Sequence, residues 1–82
     1  MSFKVGRVVH YYDKIKVAVV DLTGDISVGD KLKFVRGGED LFEQSVEEMQ
    51  MEHKKITTAK KGETVAIKAT EEVKEGAEVF KV

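Results

Sequence analysis

The residues best equipped for chemistry are two histidines, His10 and His53, two carboxylate pairs, Glu47-Glu48 and Glu71-Glu72, and the run Lys60-Lys61-Gly62-Glu63-Thr64. A histidine beside a carboxylate can move a proton or, with a further ligand, hold a metal. The spacing supports neither. The histidines lie in opposite parts of the chain, without the i, i+4 or short-loop spacing of metal sites. Neighbouring glutamates on a strand point to opposite faces and do not meet one substrate. Ser2, Ser27 and Ser45 stand outside any nucleophile-elbow context, and Lys60 to Thr64 shares only its ending with a phosphate-binding loop. The residues therefore predict no enzyme, and no cofactor, metal or nucleotide. His10 reads as a strand-end residue and His53 as a surface one.

Binding residues must be positioned by a small scaffold. Eighty-two residues make one domain, 1–82, of a size that buries about 60% of its unfolded surface. No cysteine is present to staple it, so the apolar core must suffice and a reducing compartment is expected. The start, MSFKVGRVV, lacks the apolar run of a signal peptide, and nothing approaches a membrane span. The expectation is a cytoplasmic protein. Net charge is −1, which argues against a dedicated nucleic-acid binder, but the charge is segregated. Residues 37–52 hold six acids and no base, whereas residues 53–62 hold four lysines and no acid. A local basic patch is compatible with such a chain, as is a plain solvated rim.

With no proline, the turns fall to seven glycines and to Asp. Phe3 to Tyr12 and Ile15 to Asp21, rich in β-branched residues, read as a hairpin around Asp13-Lys14. Tyr11 and Tyr12, at its end, are the rings expected at the surface. Lys31 to Val35 alternates, and Gly37-Gly38-Glu39-Asp40 is the clearest hairpin loop. Thr57 to Glu63 reads as loop, Thr64 to Ala69 as a strand with Val65, Ile67 and Ala69 on one face, and Ala77 to Val82 as the last strand. Val8, Val17, Val19, Leu32, Phe34, Met49, Val65, Ile67 and Val79 are the expected core.

One stretch has two periods. Phe42, Val46, Met49 and His53 form a helical stripe, while Met49, Met51 and His53 alternate as on a strand. A glycine loop after a strand favours another strand. Val46 and Met49 then have opposite parity, and both reach the core only through a β-bulge near Glu47-Glu48. The result is six or seven strands, an all-β fold, and a small closed or nearly closed antiparallel barrel.

The glycine-centred segments form an ordered series: Gly6-Arg7-Val8, Ala18 to Leu22, Ile26 to Leu32, Ala59 to Ile67 and Val73 to Val79. The series resembles the second domain of the translational GTPases, the β-barrel of elongation factor Tu and initiation factor two. With the MQMEHKK run it also resembles the barrel appended to collagenase-like peptidases, some of which modify RNA. The first resemblance implies a stand-alone, non-catalytic module acting near tRNA, ribosomal RNA or the ribosome. By position it nominates Gln50, Glu52, His53 and Thr64, to which charge adds Lys54 and Lys55. Lys60, Lys61 and Arg7 complete an expected patch at the barrel mouth. The second resemblance implies an accessory domain or subunit that docks on a catalytic partner.

Overall fold

The structure, a computed structural model, describes residues 3–82; Ser2 lies outside them. Ten strands follow one another: β1 (Phe3–Tyr12), β2 (Val17–Leu22), β3 (Ile26–Ser27), β4 (Lys31–Arg36), β5 (Glu39–Ser45), β6 (Met49–Met51), β7 (Lys54–Ile56), β8 (Thr58–Ala59), β9 (Thr64–Lys68) and β10 (Glu78–Lys81). The described residues contain no helix, so the stretch with two periods is strand and turn. The count exceeds the expected six or seven because residues 39–56 break into three strands, the expected loop contains β8, and the two-residue β3 adds another.

Local chemistry explains most of the turns. Gly37 and Gly38 join β4 to β5 with φ of 60° and 80°, the paired positive angles of a two-residue hairpin whose twist matches its strands. Glu39 and Asp40, expected in that loop, already belong to β5. Three further turns repeat one device. In Ser27–Asp30, Lys60–Glu63 and Lys74–Ala77, the fourth residue's N–H donates to the first residue's carbonyl at 3.0 to 3.1 Å. The third residue is Gly29, Gly62 or Gly76, each with positive φ, as a type II turn requires.

Eight strands form one antiparallel sheet in the order β5-β4-β10-β1-β2-β9-β6-β7, and β3 pairs with β8 separately. The end strands β5 and β7 are not paired with each other, so the ladder is open: of the expected closed or nearly closed antiparallel barrel, the antiparallel all-β sheet is present and the closure is corrected. The sheet nevertheless packs on a single hydrophobic cluster, which includes Val8, Val20, Leu32, Phe34, Met49, Val65, Ile67 and Val79. Each large side chain buried there contributes about 1.5–3 kcal/mol before conformational entropy is subtracted.

Three expectations about this core need correction. Ala18, Val20 and Leu22 carry the inner face of β2, and Val17 and Val19 lie on its outer face, half-buried. Because this strand is apolar on both faces, its own pattern does not choose between them. Tyr11 packs against the core, while Tyr12 stays exposed. Val46 and Met49 are both buried, but the ladder breaks between them and no bulge is needed. The chain leaves β4, exchanges backbone hydrogen bonds between Val46 and the Gly29-Asp30 turn at 2.8 Å, and re-pairs as β6 with β9. A change of partner resets the parity.

Candidate functional site

Residues directly opposite in antiparallel strands share a face, so the register shows which side chains meet outside the sheet. Arg7, Asp21 and Thr64 form one row across β1, β2 and β9. His10, Val19, Ala66 and Gln50 form the next across β1, β2, β9 and β6, with Lys55 of β7 beyond Gln50. Tyr12, Val17 and Lys68 form the third.

This face holds two shallow depressions of about 260 Å³ each, and Gln50 lines both. One is floored by Val17 and Ala66, with Ile15, Glu48 and Lys68 around it. The other is lined by Tyr12, Val19, Gln50, Met51, Thr64 and Ala66, together with Glu52 and His53. The fold thus brings four of the nominated residues, Gln50, Glu52, His53 and Thr64, to one groove. They come from β6, the turn after it and β9.

The Glu52-His53 turn is unusual. It joins β6 to β7 in two residues with φ of 53° and 67°, the geometry that Gly37-Gly38 adopts at β4–β5, here imposed on side chains that resist it. His53 is exposed, as expected of a surface residue. His10 instead places Nδ1 2.7 Å from a Glu75 carboxylate oxygen, and its ring lies edge-on to Tyr12 at 4.4 Å.

The other nominated residues are placed differently. Arg7 stands opposite Asp21, whose carboxylate accepts the Thr64 hydroxyl at 2.6 Å. Lys54 and Lys55 lie on β7, and the Lys55 ammonium sits 3.5 Å from Glu48. Lys60 and Lys61 occupy the turn between β8 and β9. The Lys60 N–H donates to Glu63 at 2.7 Å and the Lys61 N–H to Asp25 at 2.9 Å. The Ala59-Lys60-Lys61-Gly62-Glu63 motif therefore has a structural account: Ala59 is buried, Gly62 turns the chain, and the Glu63 side chain closes the turn.

Sequence reasoning missed the groove's apolar half, Tyr12, Val17, Val19 and Ala66. The available signal was β2 itself, whose run Val17 to Val20 is apolar at every position. Among the described residues, no group of three His, Asp or Glu side chains is arranged to hold a metal.

An open antiparallel sheet around one hydrophobic core, with a half-apolar groove on its outer face, defines an all-β domain. Residues 3–77 match the peptidase family U32 C-terminal domain, and the chain belongs to this family. It is 38% identical over 79 residues to an uncharacterized protease of Methanocaldococcus jannaschii; the match takes in 96% of this chain but only 19% of that protein. The fold is that of the C-terminal domain of a Geobacillus thermoleovorans protein assigned to the U32 peptidases, with a TM-score of 0.88 and 20% identity, covering 96% of this chain and 91% of that one. The selenomethionine variant of the same domain gives a TM-score of 0.86 at 19% identity, over 94% and 96% of the two chains. Of the two resemblances read from the sequence, the comparisons support the domain appended to collagenase-like peptidases.

Proposed function

We propose that this chain is a non-catalytic accessory domain that works with the remainder of a U32-type peptidase, in a cytoplasmic setting that its cysteine-free sequence supports. The observation that carries this reading is the family match over residues 3–77, joined to a relative of which the chain spans about a fifth. The site fits a binding role. Its polar side chains surround an apolar floor, and the Thr64 hydroxyl is already engaged by Asp21. The test mixes this chain with the M. jannaschii relative from which the matched segment has been deleted and follows sedimentation. Co-sedimentation is expected, and hydrolysis of labelled casein by this chain alone would overturn the non-catalytic assignment.

Contact with tRNA or ribosomal RNA is a second reading. One observation favours it: Gln50, His53 and Thr64 line one groove beside the exposed ring of Tyr12, an arrangement suited to hydrogen bonding and stacking.

A further inference from the structure

The two halves of the sheet present different chemistry to the outside. Across β1, β10, β4 and β5 the surface is laced with ion pairs: Lys4–Glu78 at 3.1 Å, Lys81–Asp30 at 3.3 Å, Lys31–Glu43 at 3.3 Å and Lys33–Asp40 at 3.5 Å. Such a face is at home in water. Among the described residues, no ion pair joins β1 to β2 or β2 to β9, and the middle of the corresponding surface is formed by Val17, Val19 and Ala66, all half-buried, with Arg7 and the hydrogen-bonded Asp21–Thr64 pair in the row beside them. Tyr12 and Ile15 stand at its edge, 50% and 62% exposed. A strand with one solvated face normally alternates apolar and polar residues, and continuous apolar runs mark strands covered on both faces. β2 has such a run from Val17 to Val20, with Ala18 and Val20 facing the core and Val17 and Val19 facing out.

We propose that the outer face of β1, β2, β9 and β6, centred on Val19 and Ala66, is the surface on which the remainder of a U32-type peptidase polypeptide packs. This deepens the accessory-domain reading and rests on it. The occupant follows from chain length: the segment matching this chain makes up 19% of the M. jannaschii relative, so about four-fifths of that polypeptide is available to cover the face. The composition suits such a contact. An apolar centre rimmed by Arg7, Gln50, Glu52 and Lys68 has the mixed character of an interface between domains of one chain, which is more polar than that of an obligate oligomer.

The test exploits the absence of cysteine from this chain. Val19→Cys and Ala66→Cys on the proposed surface, and Lys33→Cys on the ion-paired face, are prepared in the isolated chain. They are also prepared in a full-length M. jannaschii relative whose matched segment is replaced by this chain. Maleimide labelling of each position is followed by peptide mass spectrometry. Labelling at Val19→Cys and Ala66→Cys should slow at least tenfold on joining, while Lys33→Cys keeps its rate. Thermal melts of the isolated variants establish that each is folded, and having two positions on the face keeps the test alive if one is not. Slowing at Lys33→Cys alone overturns the surface and leaves the accessory-domain reading standing, whereas unchanged rates at all three positions overturn both. Protection of Val19→Cys in the isolated chain that depends on its concentration, or on added tRNA, assigns the face to a second copy or to RNA and overturns the proposal.

Discussion

The carboxamide of Gln44, on β5, is joined to Thr70, beyond the end of β9: its Oε1 accepts the Thr70 backbone N–H at 2.8 Å and the Thr70 hydroxyl at 3.2 Å. Its Nε2 donates to the Lys68 carbonyl, also at 2.8 Å. Gln44 is the one buried polar side chain among the described residues. It offers the backbone of residues 68–70 a donor and an acceptor, as a neighbouring strand would, and so ties an end strand of the open ladder to the far side of the sheet.

Replacing Gln44 with leucine should cost about 2–4 kcal/mol, because it strands a backbone carbonyl and a backbone N–H. Urea unfolding measures the loss. Gln44→Glu adds a pH dependence, since burial beside the Lys68 carbonyl disfavours the carboxylate and raises its folded-state pKa above the usual value of about 4.3. The deficit against wild type should be smallest in acid, where the protonated group can still donate. It should grow as pH rises through the unfolded-state pKa.

Truncating Phe34, which lies edge-on to Phe42 with ring centroids 4.7 Å apart, or Ile67, both fully buried, should cost about 2–5 kcal/mol. Val17→Ala and Val19→Ala in the isolated chain should each cost about 1 kcal/mol or less, since these side chains lie outside the core. Equal losses from the two pairs, read from denaturant midpoints, would reverse the facing of β2.

Gly6 has no room for a side chain. A Cβ there would stand 2.7 Å from Val20 Cγ1 and 2.8 Å from the Asp21 carbonyl oxygen. Gly6→Ala should therefore destabilise by about 1–3 kcal/mol, visible as a lower Tm.

The Glu52-His53 turn makes the opposite prediction. Asn-Gly in its place relieves two positive φ angles and should stabilise the isolated chain by about 1–3 kcal/mol. An unchanged or lower Tm would show that these side chains hold the turn through contacts of their own.

Burial, followed by the charges of Glu72 and Asp13, raises the Tyr11 pKa above 10.0. Folding then favours the neutral phenol, so this group costs stability as pH rises above its unfolded-state value near 10. In Tyr12→Phe, where Tyr11 is the remaining tyrosine, the alkaline absorbance titration should have its midpoint above 10.

If the lysines bind RNA, changing Lys54, Lys55, Lys60 and Lys61 to glutamine should flatten the salt dependence of tRNA binding, by about 0.7 in log–log slope for every single-strand phosphate that is no longer neutralised. Equal slopes for wild type and variant would remove the RNA reading. The Tm should hardly move, because the one ion pair among the described residues that these changes break, Lys55–Glu48, is exposed.

The sequence by itself determined the all-β class and most of its punctuation. A type II turn needs positive φ at one residue and a two-residue hairpin needs it at two, so Gly29, Gly62, Gly76 and Gly37-Gly38 announced their turns through local sterics alone. The alternation of Val65 and Ile67, continued by the buried Ala69 just past the strand, likewise named the inner face of β9, because every second residue of a strand faces the same way. Tertiary structure decided the rest. Val17 and Val19 are as apolar as Ala18 and Val20, and only the neighbours on either side settle which pair faces the core. The path from Val46 to Met49 depends on leaving one strand partner for another, and the open ladder on where β5 and β7 end. Gln44 has no local sign of burial, since the groups that satisfy it lie 24 and 26 residues along the chain. The groove has the same character. Tyr12, Val19, Gln50 and Thr64 come together only because β2 pairs with β9 and β9 with β6, pairings that no short-range pattern encodes.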